Sequence, residues 1–106
     1  MAAESPRFML SSNQLMHDRL LRFNRLAEAG GFLDEWARTL RTIFDRLETR
    51  PAEAGDPLLH LPRLKLTRYG ILVNRICVFY ALHDSERIVF VQDINPVLGH
   101  PLEGIA

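Results

Sequence analysis

Residues 75–82 read Arg75-Ile76-Cys77-Val78-Phe79-Tyr80-Ala81-Leu82. The seven residues from Ile76 to Leu82 are the longest unbroken apolar run in the chain. A membrane helix needs about 20 such residues, so this run is too short to span a bilayer. It is rich in β-branched and aromatic residues and lies between Asn74-Arg75, which reads as a turn, and the polar loop His83-Asp84-Ser85-Glu86. Such a segment reads as a central strand, apolar on both faces. Cys77, Phe79 and Ala81 lie on one parity and Ile76, Val78, Tyr80 and Leu82 on the other, so both faces of the sheet call for cover.

Downstream of the loop, Ile88 to Val91 begins a last strand that ends near Asp93 or Ile94. Upstream, Leu64 and Leu66 alternate with Lys65 and Thr67, a strand pattern. Ile71 and Val73 sit on the opposite parity from Leu64 and Leu66, so a bulge or kink at Gly70 is expected. Residues 51–63 contain Pro51, Gly55, Asp56, Pro57 and Pro62 and read as a loop. Before them lies a strongly amphipathic helix. Leu33, Trp36, Leu40, Ile43, Phe44 and Leu47 share one face, and Asp34, Glu35, Arg38, Arg41, Asp45 and Arg46 share the other. An earlier helix aligns Met16, Leu20, Phe23 and Ala27, after the N-cap candidates Ser11, Ser12 and Asn13, and Gly30-Gly31 ends it. Arg7-Phe8-Met9-Leu10 completes the pattern as a short first strand.

The predicted fold is therefore α+β with the order β-α-α-β-β-β. Strands joined by short loops pair antiparallel, and the helix hairpin packs on one face of the antiparallel sheet. One hairpin cannot cover both faces. The C-terminal tail, a second copy of the chain in a homodimer, or a partner's helix is left to cover the other.

The chain has 106 residues, 47% of them apolar, with 13 Lys and Arg against 13 Asp and Glu. That length suits one domain, residues 1–106, with a core over about 7–94 and an irregular tail over 95–106. Zero net charge argues against a protein that coats nucleic acid by bulk electrostatics. The single cysteine, Cys77, excludes a disulfide framework within the chain and reads as a small strand hydrophobe. Residues 1–10 have no apolar core of a secretory signal, so a cytoplasmic protein with no membrane association is expected. His17, His60, His83 and His100 have no metal-motif spacing, and no phosphate loop or nucleophile elbow is present, so no metal and no cofactor are expected.

The charge is unevenly spread. From Pro57 to His83 there is no Asp or Glu, while Arg63, Lys65, Arg68 and Arg75 give that stretch +4 and leave −4 for the rest. A basic strand surface carrying a tyrosine suits a phosphate backbone. It equally suits an acidic protein partner, or a solvated strand whose charges guard a sheet edge.

The helix hairpin, then Gly55-Asp56-Pro57-Leu58, then basic strands, then Arg75-Ile76-Cys77-Val78-Phe79-Tyr80 together resemble the RelE/ParE toxin superfamily of bacterial type II toxin–antitoxin modules. The resemblance spans about residues 7–94. It implies a toxin-like protein acting on translation, through ribosome-bound RNA, or on DNA gyrase, and held by an antitoxin-like protein partner. It implies that Arg75 meets the scissile phosphate and that Lys65 and Arg68 are basic site residues on the preceding strand. Fixed cations there would stabilise the charge that develops on a phosphate during cleavage. RNA-cleaving members also carry an arginine after the last strand and a tyrosine near the C-terminus. Here there is no arginine beyond Arg87 and no tyrosine beyond Tyr80, and His100 is the candidate to replace the missing acid or base. The alternative is a non-catalytic protein-interaction module on the same fold.

Overall fold

The computed structural model describes residues 7–83, 85–97 and 99–103. The chain is α+β. Its elements are β1 (Met9–Ser12), α1 (Gln14–Ala29), α2 (Leu33–Thr49), a single turn α3 (Pro51–Ala54), β2 (Asp56–Leu61), β3 (Leu66–Val73), β4 (Ile76–His83) and β5 (Ile88–Pro96). The five strands form one sheet in the order β1-β5-β4-β3-β2. Among the described residues, no helix is long and apolar enough to cross a membrane.

The antiparallel pairings of β2 to β5 follow from their short connections, but the sheet as a whole is mixed. β1 runs parallel to β5, with Met9 opposite Ile88 and Ser12 opposite Val91. A parallel pair needs a long crossover, and most of the chain lies between these two strands. Ser11 and Ser12 belong to β1, and Asn13 alone caps α1, its Oδ1 accepting from the Met16 N–H at 2.8 Å. Gly31, at φ +79°, takes the left-handed conformation that turns the chain between the helices.

The segment 51–63 is not a loop. Pro51 opens α3, where its missing N–H costs nothing, and β2 follows at once. Pro57 fits because β2 is an edge strand, with one side free of partners. Pro62–Leu64 form a 3₁₀ turn closed by the left-handed Lys65, whose N–H bonds the Pro62 carbonyl at 3.1 Å.

That turn removes the conflict of parity at Gly70. Leu64 and Lys65 lie outside β3, so the strand has one phase throughout. It pairs with β4 without interruption from Leu66–His83 to Val73–Ile76. The irregularities lie elsewhere, in β2 between Pro57 and Leu59 and where β5 passes Phe79 and Tyr80.

The core forms where the two helices meet one sheet face. Phe23, Trp36, Ile43, Leu47, Val78 and Tyr80 are each at most 1% exposed. Register puts Tyr69, Ile71 and Val73 of β3 on that face with Val78 and Tyr80, and Arg68, Gly70 and Leu72 on the other with Cys77, Phe79 and Ala81. The tail also departs from expectation. β5 continues to Pro96, and Leu102 is buried in the helix-side core.

Candidate functional site

Arg75 occupies the second central position of a two-residue hairpin turn. Both Asn74 (φ 47°) and Arg75 (φ 65°) are left-handed, the signature of a type I′ turn, where the second position normally carries glycine. A non-glycine residue there costs roughly 1–2 kcal/mol, so the chain retains this arginine against a local preference. The tail is shaped around its guanidinium. Nη1 donates to the Gly99 carbonyl at 2.9 Å, and the Arg75 carbonyl accepts from the Val97 N–H at 2.8 Å. A Cβ at Gly99, itself left-handed at φ +91°, would lie 3.0 Å from Nη1.

This turn forms one wall of a cleft of about 380 Å³. Glu35, Arg38 and Thr39 of α2 form a second wall, and Gly99, His100 and Pro101 a third. The Asn74 amide Nδ2 donates to Thr39 Oγ1 at 3.2 Å and ties the turn to the helix. Among the described residues, neither Arg38 nor Arg75 is ion-paired with a carboxylate.

His100 packs edge-on against Trp36, with centroids 5.8 Å apart, and against Phe32 at 6.2 Å. Its Nδ1 accepts the Leu102 N–H at 3.0 Å. A nitrogen that accepts cannot carry a proton, so the ring is neutral with its proton on Nε2. Burial, then the Arg75 charge, lowers its pKa, and Glu35 opposes them.

The three basic residues singled out by sequence do not converge. Lys65 lies between the 3₁₀ turn and β3, whereas Arg75 lies beyond the far end of β3. Eight strand residues at about 3.3 Å each put them roughly 25 Å apart. Arg68 lies over the uncovered sheet face, its guanidinium carbon 5.4 Å from the Phe79 ring centroid. Arg75 and His100 do come together.

Helical periodicity places Glu35 and Arg38 only on the solvated face of α2. The one available signal was Gly99-His100-Pro101, a turn-forming tripeptide able to fold the tail back. Cys77 faces the uncovered side of the sheet. Burial, and secondarily Asp93, raises its pKa, which suits a packed thiol rather than a nucleophile. Among the described residues, no group of His, Cys, Asp or Glu could hold a metal ion.

A second surface is the sheet face turned away from the helices. Leu72 is 64% exposed and Leu59 51%, and register aligns both with Arg68 and Phe79. No family model matches the chain, and no curated protein or solved structure does so either.

Proposed function

We propose that the chain is a toxin-like protein of the RelE/ParE type whose Arg75 cleft engages an RNA phosphodiester. The observation that carries this reading is the room made for one guanidinium. Arg75 holds a strained turn position, and Gly99 leaves space for its side chain; strain of this kind is usually kept where it serves function. Arg75 and Arg38 would neutralise phosphate charge, and the His100 Nε2–H would donate to a phosphate oxygen. Glu35 is the carboxylate on the cleft wall that could accept a 2′-hydroxyl proton. Lys65 and Arg68 would act at a distance, on a longer stretch of backbone.

Regulated expression tests the reading. The native chain should arrest growth and leave RNA fragments with 2′,3′-cyclic phosphate ends. Arg75→Glu should abolish both while the purified variant keeps its circular dichroism. Arrest that survives Arg75→Glu, with intact RNA and blocked DNA supercoiling, would point to gyrase instead. Absence of arrest would favour the interaction module.

That second reading has its own observation, the uncovered apolar sheet face. Beside the exposed Leu59 and Leu72, the charge on this face is Arg68, its guanidinium over the Phe79 ring. A second copy docked through the same patch would bring like charges together, because a two-fold interface pairs a surface with itself. An acidic amphipathic segment of an antitoxin-like partner is the better match.

A further inference from the structure

We propose that the tail, Val97 with residues 99–103, is an acid-released latch that forms one wall of the Arg75 cleft, its seating set by the bond from the Leu102 N–H to His100 Nδ1. This concerns the same cleft, and it rests on the RNA reading only for what release would take apart, the wall that carries His100.

The latch has four attachments. The Val97 N–H bonds the Arg75 carbonyl, Arg75 Nη1 bonds the Gly99 carbonyl, the His100 ring packs against Phe32 and Trp36, and Leu102 is 3% exposed in the core. The His100 Nδ1 bond sets how Leu102 enters the core. Nδ1 must keep its lone pair to accept the Leu102 N–H. Protonation replaces that lone pair with an N–H, and two donors then face each other. The same event places a third positive charge in a cleft that already holds Arg38 and Arg75. Glu35 of α2 would offset part of it. On the tail itself, the Glu103 carboxylate is already occupied by the Gly99 N–H at 2.9 Å. Burial and Arg75 both favour the neutral ring, in agreement with the geometry. Acidification therefore works against two contacts on one short segment and leaves the sheet intact. Histidine is the side chain whose ordinary titration range makes such a switch usable near neutrality.

Amide hydrogen exchange on the full chain, corrected for the intrinsic pH dependence, reads the latch directly. Leu102 and Glu103 should lose about tenfold or more of their protection between about pH 7.5 and pH 5, while the β4 amides keep theirs. Nitrogen shifts of the imidazole should show the Nε2–H tautomer and a titration midpoint below the ordinary histidine value of about 6.5. His100→Asn keeps an acceptor near the Nδ1 position but cannot titrate, so its tail should stay protected across the range. Flat protection at Leu102, loss at β4 at the same pH, or a His100→Asn tail that opens like the native one would overturn the latch. If His100→Asn fails to seat its tail, the native imidazole still decides. An Nδ1–H tautomer, or a midpoint at or above the ordinary histidine value of about 6.5, would overturn the proposal as well. No RNA enters these measurements, so the latch and the RNA reading fail separately.

Discussion

Tyr80 ties three separate parts of the chain together through one side chain. Its ring lies in the core, stacked on Tyr69 at 5.3 Å with only 9° between the planes. Its hydroxyl donates to the Pro51 carbonyl at 2.6 Å and so anchors α3 to the sheet. Burial, and then Tyr69, pushes its pKa well above the ordinary phenol range, so it remains a donor at any physiological pH. A raised pKa contributes stability that is present below the unfolded value, near 10, and lost as pH rises toward the folded one. Tyr80→Phe leaves the Pro51 carbonyl without its partner and should cost about 1–3 kcal/mol in urea unfolding at neutral pH. It should also reduce the loss of stability above about pH 10. At this scale the sequence was informative where residue type alone decides. Arg75 in a turn and Tyr80 within a central strand could be read from spacing. Glu35 and Arg38 could not be read as cleft residues. Helical periodicity sorts side chains into core and solvent faces, but it cannot show that a tail some 60 residues later returns to cover part of the solvent face.

Elements fared according to how well their signals survive tertiary context. The helices were legible because their apolar stripes need only one partner surface, and Met16, Phe23, Trp36, Leu40 and Leu47 are all buried as expected. Segment 51–63 was not, because its prolines break structure only when the N–H they lack is needed. Pro51 at a helix start and Pro57 on an edge strand escape that rule. The apparent kink at Gly70 came from counting Leu64 as strand. The glycine held by close packing in this region is instead Gly55, just before β2. A Cβ there would lie 2.5 Å from the Gly70 carbonyl and 2.8 Å from the Tyr80 hydroxyl. Neither is the free end of a flexible side chain, since one is strand backbone and the other is fixed by its own hydrogen bond. Gly55→Ala should therefore destabilise the domain by about 1–3 kcal/mol, the usual range for overpacking. It should also raise exchange first at the β2 and β3 amides, measurable residue by residue.

For the whole molecule, the double apolar pattern of β4 calls for cover on both sheet faces; the helices cover one, and among the described residues no element packs on the other. That pattern did not foresee that the tail would join the covered side. The consequence can be checked in solution. Leu59→Lys with Leu72→Lys replaces two exposed residues that make no core contact, so each change should alter unfolding free energy by no more than about 0.5 kcal/mol. Any concentration-dependent association seen for the native chain by sedimentation should disappear in the double variant. Unchanged association would place the sticky surface elsewhere. The balanced net charge conceals this asymmetry, because the acid-free segment supplies β3, most of β2 and all of β4.

The parallel pairing of β1 with β5 also dictates an order of assembly. β5 comes last along the chain, yet it sits between β1 and β4, both made earlier. A partly synthesised chain can form its helices and the β2–β3–β4 meander from local contacts, but β1 has no strand partner until β5 emerges. Joining Met9 to Ile88 closes a loop of about three quarters of the chain, and such non-local pairings are slow to form. Completion of the domain is thus deferred until β5 has been made. Until then β1 and β4 each present an open edge, so the nascent protein is most exposed to mispairing, or to capture by another chain's strand, just before it becomes functional.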